Sequence, residues 1–122
     1  MSDMRPSGIA VTVGGVERHV LFTLAAVDEI QSKWNLPVSE VITKMSDEME
    51  VYPAMVSIIS ALINDEIARN NLGDPVTEEE LKRQITVPEC DGIISAILMA
   101  YGVSVPEKDE DEDPNLTRSR KS

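Results

Sequence analysis

The amino-acid sequence predicts a mainly α protein: a small N-terminal β-hairpin followed by about five helices and a disordered acidic C-terminal tail. Two observations predict the folded part. "IAVTV" and "VERHV" alternate in polarity about a Gly-Gly pair, and from Thr23 to Tyr101 apolar residues recur every three or four positions between Pro, Gly and Asn breaks. A third observation marks its end. "PEKDEDEDPNLTRSRKS", from Pro106, holds one apolar residue, Leu116, too little burial to order the segment. The chain thus divides into a flexible lead-in over 1–8, an α-rich domain over 9–105 and a charged tail over 106–122.

Gly14-Gly15 suits a two-residue hairpin turn, which needs positive φ. That loop pairs Val13 with Val16, Val11 with Arg18 and Ile9 with Val20 on one mostly apolar face, which Phe22 extends. Thr12 with Glu17 and Ala10 with His19 make the polar face. A lone hairpin is marginal in water, so its apolar face requires a cover.

Thr23 is the expected N-cap of the first helix, with Phe22 and Val27 as a hydrophobic staple and Leu24, Val27, Ile30 and Trp34 at helical spacing. Asn35-Leu36-Pro37 ends it, and Pro37 suits the first turn of a short helix, "VSEVITKM". "SDEMEVY" reads as a polar connection. Pro53 is expected to open the longest helix, about Ala54 to Asn70, with Met55, Ile58, Ile59, Leu62, Ile63 and Ile67 on a broad apolar face. Thr77 with Glu80 forms a capping box between Val76 and Leu81, starting a helix that ends near Ile85. Thr86 with Glu89 suggests a second box, and Gly102 a cap for the final helix near Tyr101.

Composition narrows the function. The 122 residues include 22 acids and 11 bases, a net charge of −11. Nucleic-acid phosphates and anionic membranes would repel such a chain. The acidity is not confined to the tail, since residues 1–106 alone carry 16 acids and 7 bases. A single cysteine, Cys90, excludes an intramolecular disulfide. "MSDMRPSG" lacks the apolar run of a signal peptide, and the longest nearly apolar stretch, Gly92 to Val105, is shorter than the ~20 residues of a membrane span. A soluble, cytoplasm-compatible protein is expected.

Candidate chemistry is sparse. Gly14-Gly15 joins two strands and no Lys-Ser or Lys-Thr follows, so a turn is favoured over a phosphate loop. His19 falls on the polar face beside Glu17, and Asp28 and Glu29 on the polar side of the first helix, which suits solvated groups better than a hydrolase site. Cys90 lies between Glu89 and Asp91, neighbours that raise a thiol pKa. "DEDED" (Asp109 to Asp113) lacks the alternation and glycine of a calcium loop. No catalytic, cofactor or metal residue is expected.

The order of features resembles the tail assembly chaperones of long-tailed bacteriophages. The likeness rests on "VGGVERHVLFTLAAVDEIQSKWNLPVSEVI": a hairpin turned at glycine, an apolar-Phe-Thr-Leu helix start, then a short helix introduced by Leu36, Ser39 and Glu40. "MVSIISALI" and "DGIISAILMAYG" continue the pattern, which covers roughly Ile9 to Val103. Family members often carry an aromatic in the long helix, where this chain has Ser60-Ala61-Leu62.

The resemblance implies a non-enzymatic α-helical protein of virion morphogenesis. Such a protein binds the tape measure protein, keeps it soluble, and helps recruit the tail tube protein, directly or through an extended form made by programmed frameshift. It also implies self-association, a place in the host bacterial cytoplasm, and absence from the mature virion. Met55, Ile59, Leu62, Ile63 and Met99 are the expected partner-binding surface, although the same spacing suits a core. The alternative is an acidic regulatory or decoy module that covers a basic surface of a host protein.

Overall fold

The computed structural model describes residues 8–104. In chain order they form β1 (Ile9–Val13), β2 (Val16–Val20), α1 (Leu24–Trp34), α2 (Val38–Thr43) with a 3₁₀ turn at Lys44–Ser46, α3 (Val51–Asn70), α4 (Glu78–Gln84) and α5 (Val87–Ser104). This is the predicted hairpin followed by five helices. The charged tail and nearly all of the lead-in lie outside the described residues.

The hairpin takes the expected register, Ile9 opposite Val20 through Val13 opposite Val16. Gly14 and Gly15 have φ of 60° and 82°, the left-handed pair that lets two residues reverse a twisted ribbon. Its apolar face is covered twice, since α5 lies against β1 and α3 against β2. Val13 and Val20 are buried by this packing, and Phe22 meets the Tyr101 ring edge-on at 5.7 Å.

Thr23 caps α1 as expected, its hydroxyl accepting the Ala26 N–H at 3.2 Å, and Asn35 ends the helix at φ 55°. The inward stripe differs from the expected one. Ala26 and Ile30 are buried with Val27 and Trp34 beside them, whereas Leu24 is 88% exposed. At 3.6 residues per turn Leu24 points roughly 100° from the centre of that stripe. Pro37 is the N-cap of α2 and not a residue of its first turn.

Two further boundaries shift. α3 starts at Val51, ahead of Pro53, because the first helical N–H groups have no partner within the helix and proline loses nothing there. α5 runs through Gly102 to Ser104, so Gly102 does not cap it.

α3 is the axis of the domain, with α1, α4, α5 and β2 packed around it. It is buried on nearly every side, including Ser57, Ser60 and Glu66. By length and hydropathy it could cross a membrane, a property that the shorter Gly92–Val105 stretch had not suggested; 67% of that window is buried within the domain. Ile30, Val41, Leu81, Ile93 and Ile97 close the core around it. Each such side chain contributes about 1.5–3 kcal/mol on leaving water.

Side-chain amides and carboxylates tie the connections to these helices. Asn64 of α3 exchanges two hydrogen bonds with Val76, donating from Nδ2 to its carbonyl at 3.0 Å and accepting its N–H on Oδ1 at 2.7 Å. Gln31 Oε1 accepts the Val38 N–H at 2.8 Å across the α1–α2 turn. Buried Glu66 accepts the outward-facing His19 N–H of β2 at 3.2 Å. Buried backbone donors need such partners wherever the strand ladder ends.

A candidate docking groove

The expected partner-binding residues do not form a common surface. Ile59, Leu62 and Ile63 are 0% exposed and Met55 1%, all on the inner side of α3, while Met99 is 55% exposed on α5. The correction has a direct cause. A helix surrounded on nearly every side keeps little free apolar face beyond its first turns, so its longest apolar run becomes core. Met99 stands with Leu98 on the outer face of α5, beside Ser95 and Gly102.

The sequence-level candidates for chemistry fall apart in the same way. Asp28 and Glu29 are exposed on α1, and His19 instead faces Glu17 at 3.4 Å and Glu66 at 4.0 Å. Cys90 is buried, its thiol 3.6 Å from the Thr86 carbonyl. Burial pushes that thiol pKa up, and Asp91 and Glu89 push the same way, so it is a poor nucleophile. Among the described residues there is no group of three or more His, Cys, Asp or Glu placed to hold a metal ion.

The glycine pair does hold an anion, one supplied by the chain itself. Glu89 Oε1 accepts the Gly14 N–H at 3.0 Å and Oε2 accepts the Gly15 N–H at 3.1 Å. Oε1 also accepts the Thr86 N–H at 3.2 Å, which is the carboxylate half of the expected capping box. The Thr86 N–H, chiefly, holds the Glu89 pKa below the ordinary carboxylate value; partial burial opposes it, and the two glycine N–H groups add to the lowering.

Apolar surface gathers elsewhere, at a place that takes in only Met55 of the expected partner-binding residues. Two adjoining depressions share Tyr52, Val56 and Lys82 as walls. The larger, about 370 Å³, is completed by Lys33, Trp34, Pro53, Ser57 and Glu78. The smaller, about 180 Å³, is completed by Met55, Ile85, Val87 and Cys90. Together they make a groove across the start of α3, bounded by the end of α1, by α4 and by the start of α5. A third depression, about 420 Å³ beside α2, is lined by Glu40, Thr43, Lys44, Asp47 and Glu50, with no apolar residue among them.

The groove is partly pre-formed. Trp34 donates from Nε1 to the buried Ser57 hydroxyl at 2.8 Å, which fixes the indole plane. Lys44 sits 5.7 Å from the Trp34 ring centroid while bonding Glu50 at 2.9 Å. Lys33 pairs with Glu78 on the rim. Lys82, one turn beyond Glu78, makes no ion pair among the described residues. Tyr52 and Val87 remain 50% and 75% exposed, a large apolar area for a folded surface to leave in water.

Sequence reasoning missed this groove because its walls come from four separate segments. Trp34 reads as an ordinary helix-face residue and Tyr52 as part of a connection. One signal was available: the single tryptophan stands beside a lysine at a helix end, and aromatic residues are enriched where proteins meet partners. No protein-family model, curated protein or solved structure matches the chain.

Proposed function

We propose that this chain is a non-enzymatic phage tail assembly chaperone. In this reading it binds the tape measure protein, keeps it soluble in the host bacterial cytoplasm, and helps bring tail tube subunits to it. The observation that carries the reading is the open groove of Trp34, Tyr52, Val56, Ile85 and Val87 on a strongly acidic domain. An unassembled helical protein exposes apolar stripes that aggregate. A small domain can cover a stripe with such a groove, and its net charge keeps the complex dispersed. The element order, a glycine-turned hairpin running into α1 and then a long apolar helix, supports the same assignment through the resemblance.

Coexpression tests it. The tape measure protein encoded beside this chain should stay in the soluble fraction when the two are made together and precipitate when made alone. Equal precipitation in both cases would overturn the assignment. Removing residues 107–122 separates this function from an acidic decoy: the chaperone still holds its cargo, whereas a decoy acting through "DEDED" loses its partner.

A further inference from the structure

We propose that the groove receives an acidic amphipathic helix of a partner protein, with two successive apolar side chains in the two depressions and carboxylates against the lysine rim. This rests on the groove being the site that holds the partner, and it specifies what that partner must present.

Charge placement points to the acid. Between Gly8 and Ser104 there are six Lys and Arg residues, and two of them, Lys33 and Lys82, line this groove with one carboxylate, Glu78, while Lys44 lies 5.7 Å from the Trp34 ring and lines the neighbouring depression. The same span carries 15 Asp and Glu residues, so a lining with two lysines and one carboxylate departs from the surface around it. Lys33 and Lys44 are held by Glu78 and Glu50, but Lys82 borders both depressions with no ion pair among the described residues. A segment flanked by carboxylates gains from this rim, and a basic one meets repulsion at the point of contact.

Backbone chemistry points to a helix. The groove walls are side chains of α1, α3, α4 and α5 together with the residues joining α4 to α5, and neither strand borders them. An extended peptide would find no ladder for its N–H and C=O groups there, whereas a helix satisfies its own. One helical face presents apolar side chains at i and i+3 or i+4, a spacing that suits two adjoining depressions. Their unequal sizes, about 370 and 180 Å³, favour a bulky side chain followed or preceded by a smaller one.

Trp34 is the only tryptophan and lines the groove, so it reports occupancy directly. The full chain is titrated with synthetic amphipathic helices free of Trp and Tyr, identical on the apolar face and flanked by Glu, Gln or Lys. The Glu peptide should shift Trp34 emission saturably and bind about fivefold tighter than the Gln peptide, with the Lys peptide weakest. Lys82→Glu should reverse that order while leaving the circular dichroism spectrum unchanged, since Lys82 is exposed.

Equal affinity for all three peptides would overturn the acidic preference. No saturable response, with a coexpressed cargo still soluble, would remove the groove as the grip and leave the chaperone function to another surface. No response together with an insoluble cargo would remove both. Trp34 emission that shifts on dilution alone, or on adding salt without peptide, would assign the groove to a second copy or to the chain's own acidic tail, and would equally overturn the proposal.

Discussion

Glu89 reaches across 75 positions of sequence to accept the Gly14 N–H at 3.0 Å, and so clamps the tip of the hairpin to the start of α5. One carboxylate serves the first turn of its own helix and the turn of a distant hairpin. A Cβ on Gly14 would stand 2.9 Å from Gln84 Cβ, so the turn is held closely on both sides.

Glu89→Gln should lower the thermal midpoint, because an amide presents one accepting oxygen where the three N–H groups now meet two charged ones. The pH dependence identifies the cause. Glu89 is held below its ordinary value of 4.5, so its contribution is complete above that value and is lost as pH falls through the depressed one. Thermal melts of wild type and Glu89→Gln should therefore differ near neutrality and converge in acid. A gap that stays constant with pH counts against the clamp.

Leu62→Ala should cost about 2–5 kcal/mol in urea unfolding, as expected for a cavity opened at a fully buried position. Met99→Ala should stay within about 0.5 kcal/mol of wild type, because that side chain already stands mostly in water. Comparable losses at both positions would contradict the separation of core from surface.

Ser57→Ala removes the acceptor of the Trp34 indole N–H, and should cost about 1–3 kcal/mol for a polar group left without its partner. Trp34 emission should broaden or shift as the ring loses its fixed orientation. An unchanged spectrum would mean that packing alone holds the indole.

Asn64→Leu keeps the size of the side chain but removes both hydrogen bonds to Val76. The expected loss is about 1–3 kcal/mol. Hydrogen exchange should place the new weakness at the Val76 amide and the first turn of α4. Asn64→Asp keeps the acceptor for the Val76 N–H and should recover part of that protection.

Local chemistry was enough to read much of this protein from its residues. The hairpin register follows from Gly14-Gly15 and two-residue alternation, because a slip by one position would put Val13 and Val20 on the polar face. Thr23, and Thr77 with Glu80, announce helix starts because a cap bonds donors only two or three residues away. Tertiary packing decided the rest. Whether Ile59, Leu62 and Ile63 meet a partner or a core depends on how many neighbours surround α3, and helical spacing is the same in both cases. The bond from Glu89 to the glycine turn, and the meeting of Trp34, Tyr52, Ile85 and Val87 in one groove, join residues far apart along the chain. Sequence periodicity records which side of an element is apolar, while only the folded arrangement settles what that side touches.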